Sequence, residues 1–384
     1  MTSVKRTIGI GGATLIGLAS MIGTGVFAAW SPAYSLAGSA LLFSLMIAAS
    51  IATLNAISNA RMARIFPQSG GGYVYGKNCL GSKPALIAGF SFMIGKTASA
   101  SAAALVIGAY LVPDHSRVIA VLAVLIVLAL NLRGLKYSMI AMALSVPAVV
   151  VIIGSLIFFS PAGQVLPATV VLSPEPTLLS IFAAAGILFV AFAGYARISV
   201  IASEVKRPRF TIPWAIGLSL TLVLVLYLVV ARQLLDVPQT LESATPLEAL
   251  AALNEYPVWA IQMGAVLAAG SALFALNVGI ARMIFAMAHD GSLPRTLAVV
   301  SGPRSVPMRA EILTSVAVLA LTIFGGIAVN LAVSGLFVLC YYVVVQLSSM
   351  TKEGNPVIRW IIPSAGQLVM TLVVGSLVVS ALGY

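Results

Sequence analysis

The sequence predicts an all-α membrane protein that crosses the bilayer about eleven times. Hydrophobic residues make up 60% of the 384 and charged residues only 8%, whereas soluble domains carry about 25% charged residues. The mean hydropathy is +1.09. Apolar segments long enough to cross about 30 Å of hydrocarbon recur along the chain. They lie at roughly 8–32, 38–60, 85–111, 117–132, 138–160, 177–202, 211–231, 257–288, 311–326, 328–349 and 358–382.

The basic residues predict a cytoplasmic N-terminus. In that orientation the outer loops hold only Arg117 and Arg232, as the positive-inside rule expects. Three further cations lie within spans. The inner loops hold Lys5, Arg6, Arg61, Arg64, Lys77, Lys83, Arg133, Lys136, Lys206, Arg207, Arg209, Arg295, Arg304, Arg309, Lys352 and Arg359. The net charge of +11 is then a topology signal with attraction to anionic lipid, and nucleic acid is not an expected partner. We expect a multi-pass protein of the cytoplasmic membrane.

Enzyme and metal motifs are not found in the sequence. Two cysteines and two histidines provide neither a disulfide framework nor a metal cluster. There is no Walker motif, zinc motif or nucleophile elbow. We therefore expect no cofactor, no resident metal and no ATP hydrolysis.

Glycines interrupt the first apolar segment. Gly17, Gly23 and Gly25 occur there with Ser20 and Thr24. A glycine costs about 1 kcal/mol in a helix relative to alanine, and an unpaired backbone group in hydrocarbon costs several kcal/mol more. A break there predicts a binding site of the kind that secondary transporters use. The alternative is close helix packing through small residues.

A second interruption lies in the sixth segment, five segments after the first. Aromatic residues, Gly194 and Arg197 meet there in mid-span. Paired interruptions in two five-span halves predict inverted repeats around a midplane site. The expected units are residues 1–160, residues 161–350 and an additional C-terminal helix within 351–384.

Four motifs resemble those of the amino acid–polyamine–organocation (APC) superfamily of transporters. They are MIGTGVF at 21–27, FPQSGGGYVY at 66–75, FAGY at 192–195 followed by SEVKRP at 203–208 and IP at 212–213, and the segment 282–288 with DGSLP at 290–294. The resemblance covers nearly the whole chain. It implies a LeuT-like fold of five-plus-five inverted repeats in which helices 1 and 6 are discontinuous, here with one extra helix.

The resemblance also implies an amino acid site between the broken helices. Backbone N–H groups of Gly23, Thr24 and Gly25 would bind a substrate carboxylate at a helix N-terminus. Freed carbonyls would accept from its ammonium group, and aromatic rings, Phe192 among them, would cap it. The predicted substrate-binding residues are Met21, Ile22, Gly23, Thr24, Gly25, Lys96, Phe189, Val190, Ala193 and Tyr195.

Lys96 is a cation in mid-span, which costs about 2.5–3.5 kcal/mol on insertion scales and so needs a reason. It aligns with a substrate-facing position of arginine/agmatine antiporters. We expect it to contact substrate or to titrate during transport; the alternative is a structural ammonium bound by carbonyls of the broken helices. The fifth span lacks the lysine that replaces sodium in some relatives. A proton or sodium therefore stays open as coupling ion, with Ser271 as a sodium ligand or as a packed serine.

The remaining charged residues within or near the spans are candidates for coupling or gating. Ala196 occupies the position of the glutamate common in the family, so Arg197 either pairs with substrate, lines the inner vestibule or is structural. Arg282 either joins Glu204 and Arg64 in a cytoplasmic gate or snorkels to headgroups. The coupling or gating candidates are Lys96, Arg197, Glu204, Arg282 and Asp290.

These observations predict a secondary transporter that moves an amino acid by alternating access, with spans 1, 2, 6 and 7 moving against spans 3, 4, 8 and 9. A neutral substrate is the first choice and an acidic one the second, because cations near the site repel positive charge. An exchanger or exporter of the same fold is the alternative. A membrane-embedded transferase would need an acid/base pair, and a channel would need a continuous polar stripe. The sequence does not give the oligomeric state.

Overall fold

The computed structural model describes residues 6–68, 70–132, 135–159, 175–200, 202–299 and 307–381. These ranges contain fifteen α-helices. In chain order they are α1 (Ile10–Ala28), α2 (Trp30–Ala37), α3 (Leu41–Ile65), α4 (Gly72–Cys79), α5 (Ser82–Leu111), α6 (Ser116–Leu132), α7 (Leu135–Phe159), α8 (Leu178–Phe192), α9 (Ala196–Val200), α10 (Pro208–Asp236), α11 (Pro246–Leu253), α12 (Val258–His289), α13 (Met308–Phe324), α14 (Ile327–Met350) and α15 (Ile362–Ala381).

Each of the eleven predicted segments contains a helix, which confirms the all-helical membrane architecture. Within the described ranges, nine helical stretches are long and apolar enough to cross a membrane. Segment five is α7, whose 25 residues include the apolar stretch Leu144–Phe159, and segment nine, α13, has 17 residues. The number of crossings therefore stays a prediction. Lys5, Arg133, Arg304 and the proposed repeat boundary at 160/161 lie outside the described residues.

The first helix does not unwind where we expected. α1 is helical throughout its 19 residues, and the interruption falls at Ala29, before α2. The predicted unwound segment at Gly23–Gly25 is therefore wrong for this structure. A Cβ on Gly23 would overlap that of Ala272, and one on Gly25 would overlap that of Ala191. These glycines serve close helix packing, which was the alternative explanation.

The sixth helix is interrupted as predicted. α8 ends at Phe192, a 3₁₀ turn spans Ala193–Tyr195, and α9 continues the chain. A Cβ on Gly194 would lie 2.6 Å from the carbonyl carbon of Ser20 and 2.7 Å from the nitrogen of Met21. The turn thus crosses the backbone of α1 at a distance that only glycine allows.

α5 lies at the centre of the packing, against α12 and α14, while α1 packs between α10 and α12. Hydroxyl and amide groups fix α5 to its neighbours. Ser99 and Ser334 hydroxyls lie 2.6 Å apart, and Ser101 Oγ accepts from Asn330 Nδ2 at 2.9 Å and from Thr322 Oγ1 at 3.1 Å. These bonds satisfy buried polar groups and hold α5, which carries Lys96, in one position.

Candidate functional site

The site is built where Lys96 meets the interrupted helix. Lys96 lies on α5 and is 5% exposed, and its Nζ donates to the carbonyl oxygen of Ala193 at 3.1 Å. A buried ammonium group needs such a partner, because an unpaired charge in an apolar interior is very costly. The 3₁₀ turn supplies the partner by turning this carbonyl toward α5. In this conformation Lys96 binds a carbonyl of the broken helix, as the structural alternative proposed.

Tyr227 joins α1 to α8 on the other side of the site. From α10, its hydroxyl donates to the carbonyl oxygen of Met21 at 2.6 Å and lies 3.3 Å from that of Ala191. Its ring is 5.1 Å from the ring of Phe192 and 5.7 Å from that of Trp30, both edge-on. The sequence analysis missed Tyr227. Its only local signal is a tyrosine in a run of leucine and valine.

The backbone groups predicted to bind substrate are used by the protein itself. The carbonyl of Met21 accepts from Tyr227, that of Ala193 from Lys96, and that of Val190 from the backbone N–H of Ala193. The N–H groups of Gly23–Gly25 belong to the α1 helix, so the expectation of free donors there is wrong for this conformation. All ten predicted substrate-binding residues are buried. The structure has the site closed.

The predicted aromatic cap divides into two groups. Phe189 and Tyr195 both pack on Tyr342, with ring centroids 5.7 and 5.5 Å apart. Tyr341 continues this aromatic cluster at 5.1 Å from Tyr342. Phe192 instead faces Tyr227. The two tyrosines of α14 were missed because adjacent tyrosines in an apolar run carry no periodic signal.

The glycine-rich motif after α3 supports this cluster. Gly70 and Gly71 have φ of 117° and 48°, values that glycine adopts without strain. The N–H of Gly72 donates to Tyr341 Oη at 2.8 Å, and a Cβ there would lie 2.5 Å from the tyrosine ring. The second motif therefore holds Tyr341 in place.

Ser271 behaves as a packed serine. Its hydroxyl is buried on α12 and donates to the carbonyl of Ala268 at 2.8 Å, within the same helix. In the ranges that the structure describes, no group of three or more His, Cys, Asp or Glu side chains is placed to hold a metal ion.

Charged residues gather below the site, at the end of the interrupted helix. Arg197 on α9 is 6% exposed, and its Nε and Nη1 have no hydrogen-bond partner among the described residues. The carboxylates of Glu204 and Glu311 attract it electrostatically. Arg282 Nη2 lies 3.8 Å from Glu204 Oε1, so these two predicted gating residues are brought together.

Glu311 was missed by the sequence analysis. It is 3% exposed in the first turn of α13, at a position that hydropathy assigns to the edge of a span. Its burial near Arg197 follows from the packing of α13 and was not readable from the local pattern.

Asp290 belongs to a different cluster from Arg282. Its carboxylate accepts from Lys77 Nζ and from the Tyr73 hydroxyl, both on α4. The hydrogen bonds from Lys77 and Tyr73 lower the pKa of the Asp290 carboxyl below its ordinary value. Arg64 is in neither cluster; it lines a groove between α3 and α10.

The segment before α1 is bound to the segment after α9. The N–H groups of Thr7 and Ile8 donate to the carbonyl of Glu204 at 3.0 and 3.1 Å, and Lys206 N–H donates to the carbonyl of Ile8 at 2.8 Å. The same glutamate therefore holds the start of helix one through its backbone and Arg282 through its side chain.

A helical membrane protein with an interrupted helix and a buried cation beside it has the features of a membrane carrier. Residues 8–383 match the family model described as "Amino acid permease". The chain belongs to this family, which confirms the resemblance to the APC superfamily.

Similar proteins support the assignment. An uncharacterized transporter of Mycobacterium tuberculosis is 40% identical over 374 residues, covering 94% of this chain and 84% of the relative. The branched-chain amino acid permease BcaP of Bacillus subtilis is 27% identical, covering 79% and 72%. Cationic amino acid transporter 3, mitochondrial, of Arabidopsis thaliana is 26% identical, covering 91% and 61%. The chain is a multi-pass amino acid transporter and not an enzyme.

A solved structure shows the same fold. A Na⁺-coupled sialic acid symporter in a substrate-bound, outward-open state matches with a TM-score of 0.61, covering 100% of this chain and 91% of the other, at 14% identity. The match confirms the LeuT-like fold.

Proposed function

We propose that this transporter carries a neutral amino acid across the cytoplasmic membrane, with its N-terminus in the cytoplasm, by alternating access. The observation that carries the proposal is the bond from Lys96 Nζ to the carbonyl of Ala193. It joins a buried cation to the carbonyl that the interrupted helix turns toward it.

A zwitterion can replace both partners of this bond at once. The substrate carboxylate pairs with the Lys96 ammonium group, and the substrate ammonium group takes the place of Lys96 on the Ala193 carbonyl. No charge is left unpaired in the exchange, which a buried site requires. We expect the remaining predicted residues, Met21–Gly25 on one side and Phe189, Val190 and Tyr195 on the other, to enclose the substrate when it binds.

Charge favours a neutral substrate. Lys96 and Arg197 are both buried cations. A further positive charge about 6 Å from one of them costs about 3 kcal/mol at an effective dielectric constant of about 20. This argues for the substrate class named for the Bacillus relative over that named for the Arabidopsis relative. An acidic amino acid is the second candidate, because two guanidinium nitrogens of Arg197 lack a partner among the described residues.

Alternating access would move α1, α3, α8–α9 and α10 against α5, α6, α12 and α13, the two groups expected from inverted repeats. Opening to the cytoplasm breaks the Arg282–Glu204 pair and the backbone bonds between Ile8 and the segment after α9. Glycines at Gly23 and Gly25 allow α1 to change its backbone when its neighbours move apart, since glycine has access to more conformations.

Counterflow in proteoliposomes tests the proposal. Vesicles loaded with an unlabelled neutral amino acid should accumulate labelled leucine or alanine and should exclude labelled arginine. Lys96→Met should lower this flux by roughly 100-fold, since removing one partner of a buried charge pair costs about 3 kcal/mol. Lys83→Met, at an exposed position on the same helix, should leave it unchanged. Accumulation of arginine in preference to every neutral amino acid would contradict the substrate class. Unchanged flux in Lys96→Met would contradict the site.

The same vesicles distinguish the modes of transport. Flux driven by an inward sodium gradient identifies sodium as the coupling ion, and flux driven by a pH gradient identifies the proton. Flux that requires internal amino acid identifies the exchanger alternative, and preferential efflux from vesicles of defined orientation identifies the exporter.

A further inference from the structure

A groove runs between α3 and α10 on the outside of the helix bundle. Its volume is about 980 Å³. Three arginines, Arg61, Arg64 and Arg209, lie on its walls at one end, and residues such as Ile57 and Leu220 line the rest. Its chemistry therefore changes along its length from strongly basic to apolar.

Two of the arginines are free to bind a ligand. Arg61 donates to the backbone carbonyls of Ser349 and Lys352 at 3.1 and 2.6 Å, and so it anchors the end of α14. Arg64 and Arg209 are exposed and form no ion pair with any described residue. Glu353 also lies on the wall, which leaves the basic end with a net positive charge.

The length of the groove matches one leaflet of a bilayer. Its lining runs from Thr53 to Ile65 on α3 and from Arg209 to Leu224 on α10. At 1.5 Å per residue these stretches are roughly 18 and 22 Å long. Half of a hydrocarbon core of about 30 Å is roughly 15 Å, so an acyl chain and the start of a headgroup fit along it.

Aromatic residues place the basic end at the membrane surface. Phe210 and Trp214, on the same helix as Arg209, are 55% and 62% exposed, and Trp360, which follows the lining residue Ile358 in the sequence, is 50% exposed. Exposed tryptophans concentrate at the level of lipid headgroups. The arginines therefore lie at the depth of the phosphates, on the side that the charge distribution predicts to be cytoplasmic.

Gly217 leaves space in the apolar wall. It lines the groove, and a Cβ built on it would meet no atom within 4 Å. A glycine in a helix costs about 1 kcal/mol relative to alanine. Protein packing does not require this glycine, whereas an occupant of the groove would benefit from the room.

We propose that the groove binds one anionic phospholipid. Its phosphate lies between Arg64 and Arg209, and one acyl chain lies along Ile57, Gly217 and Leu220. Basic pockets between membrane helices on the cytoplasmic side recognise anionic headgroups in this way.

Native mass spectrometry of the full chain tests the site. Purified protein is titrated with phosphatidylglycerol and, separately, with phosphatidylcholine of the same acyl chains. The wild type should retain one phosphatidylglycerol, and Arg64→Gln/Arg209→Gln should weaken this binding by roughly 30-fold, from the attraction expected of two basic side chains. Gly217→Trp should weaken it at unchanged charge. Lys83→Gln/Arg295→Gln, which removes two exposed charges elsewhere on the predicted inner face, should keep wild-type binding.

Several results would overturn the proposal. Equal retention of the two lipids would exclude recognition of the headgroup charge. Equal loss in the Lys83/Arg295 variant would assign the binding to general surface charge. Full competition by inorganic phosphate at millimolar concentration, with Gly217→Trp binding normally, would assign the arginines to a free anion. A monodisperse elution profile for each variant ensures that a loss of binding is not a loss of folding.

Discussion

Helix one and helix six carry similar sequence signals and fold differently. Both contain glycines in mid-span, and the two pack against each other. α1 is wound through Gly23 and Gly25 and uses them to bring Ala272 and Ala191 close. The sixth helix changes to a 3₁₀ turn at Gly194, and that turn presents the carbonyl of Ala193 to Lys96.

The difference lies in what is available to satisfy the backbone. A break in hydrocarbon needs a partner for each freed group. Lys96 is that partner for the sixth helix, whereas in α1 the Tyr227 hydroxyl binds the carbonyl of Met21 while the helix stays wound through its glycines. A buried cation beside a glycine is therefore a stronger signal for a break than glycine alone.

The largest expected effect comes from filling the glycine contacts. Gly25→Ala places a Cβ into Ala191 and 2.5 Å from Tyr227 Oη, and Gly194→Ala places one against the α1 backbone. Each should lower the free energy of unfolding by about 2–3 kcal/mol, the usual cost of overpacking. Thermal unfolding in detergent measures the effect.

Gly270→Ala on α12 is the matched control, because a Cβ there meets no atom within 4 Å. It should be neutral or stabilising by up to about 1 kcal/mol. If Gly25→Ala unfolded at the same temperature as this control, α1 would not be packed as closely as described.

Removing the hydroxyl that bridges the two helices should have a smaller effect. Tyr227→Phe leaves the carbonyl of Met21 without the hydroxyl donor and should cost about 1 kcal/mol, with a clear drop in transport rate. Tyr110→Phe is the comparison, since this hydroxyl donates to the carbonyl of Phe27 at 3.2 Å. We expect it to cost as much stability and to leave transport nearly unchanged. Equal transport rates in the two variants would remove Tyr227 from the site.

The charge pair of Arg282 and Glu204 should contribute less again. A double-mutant cycle on Arg282→Gln and Glu204→Gln should give a coupling energy of about 0.5–1 kcal/mol in unfolding experiments. The pair of Arg232 and Asp236, at 3.3 Å but with side chains 71% and 36% exposed, should give about 0.3 kcal/mol. A coupling energy at Arg282 no larger than at Arg232 would contradict the role of the first pair in holding helices one and six closed.

The smallest effect is a pH dependence outside both helices. Because the pKa of Asp290 is lowered by Lys77 and Tyr73, the stabilisation from its carboxylate is present above its ordinary value of 3.8 and is lost as the pH falls through the lowered pKa. Asp290→Asn should reduce the fall in unfolding temperature between about pH 5 and pH 3 by about 1 °C. The exposed Asp114→Asn should keep the wild-type slope. An identical slope in the Asp290 variant would show that this carboxylate does not couple to folding.

The positions of the helices were predictable from the sequence because hydrocarbon demands long apolar segments. The break at Gly194 and the carbonyl partner of Lys96 were predictable for a related reason, since a mid-span charge must find a partner. The continuous winding of α1 was not predictable, because a single sequence does not distinguish a glycine at a helix contact from a glycine at a helix break.

The residues that complete the site depended on contacts between distant segments. Tyr227 and Met21 are 206 positions apart, and nothing near either of them predicts their hydrogen bond. Glu311 lies at the end of a predicted membrane segment, and hydropathy fixes such an end only to within several residues. Its burial beside Arg197 is a consequence of how α13 packs.

The central claim is that a neutral amino acid binds at the contact between Lys96 and Ala193. The most direct test is the unfolding temperature of purified protein with a panel of amino acids, since a ligand that binds the folded form stabilises it. We predict that neutral amino acids raise the unfolding temperature of the wild type and of Lys83→Met, and that Lys96→Met loses the response. An equal rise in Lys96→Met would place the substrate elsewhere and contradict the account.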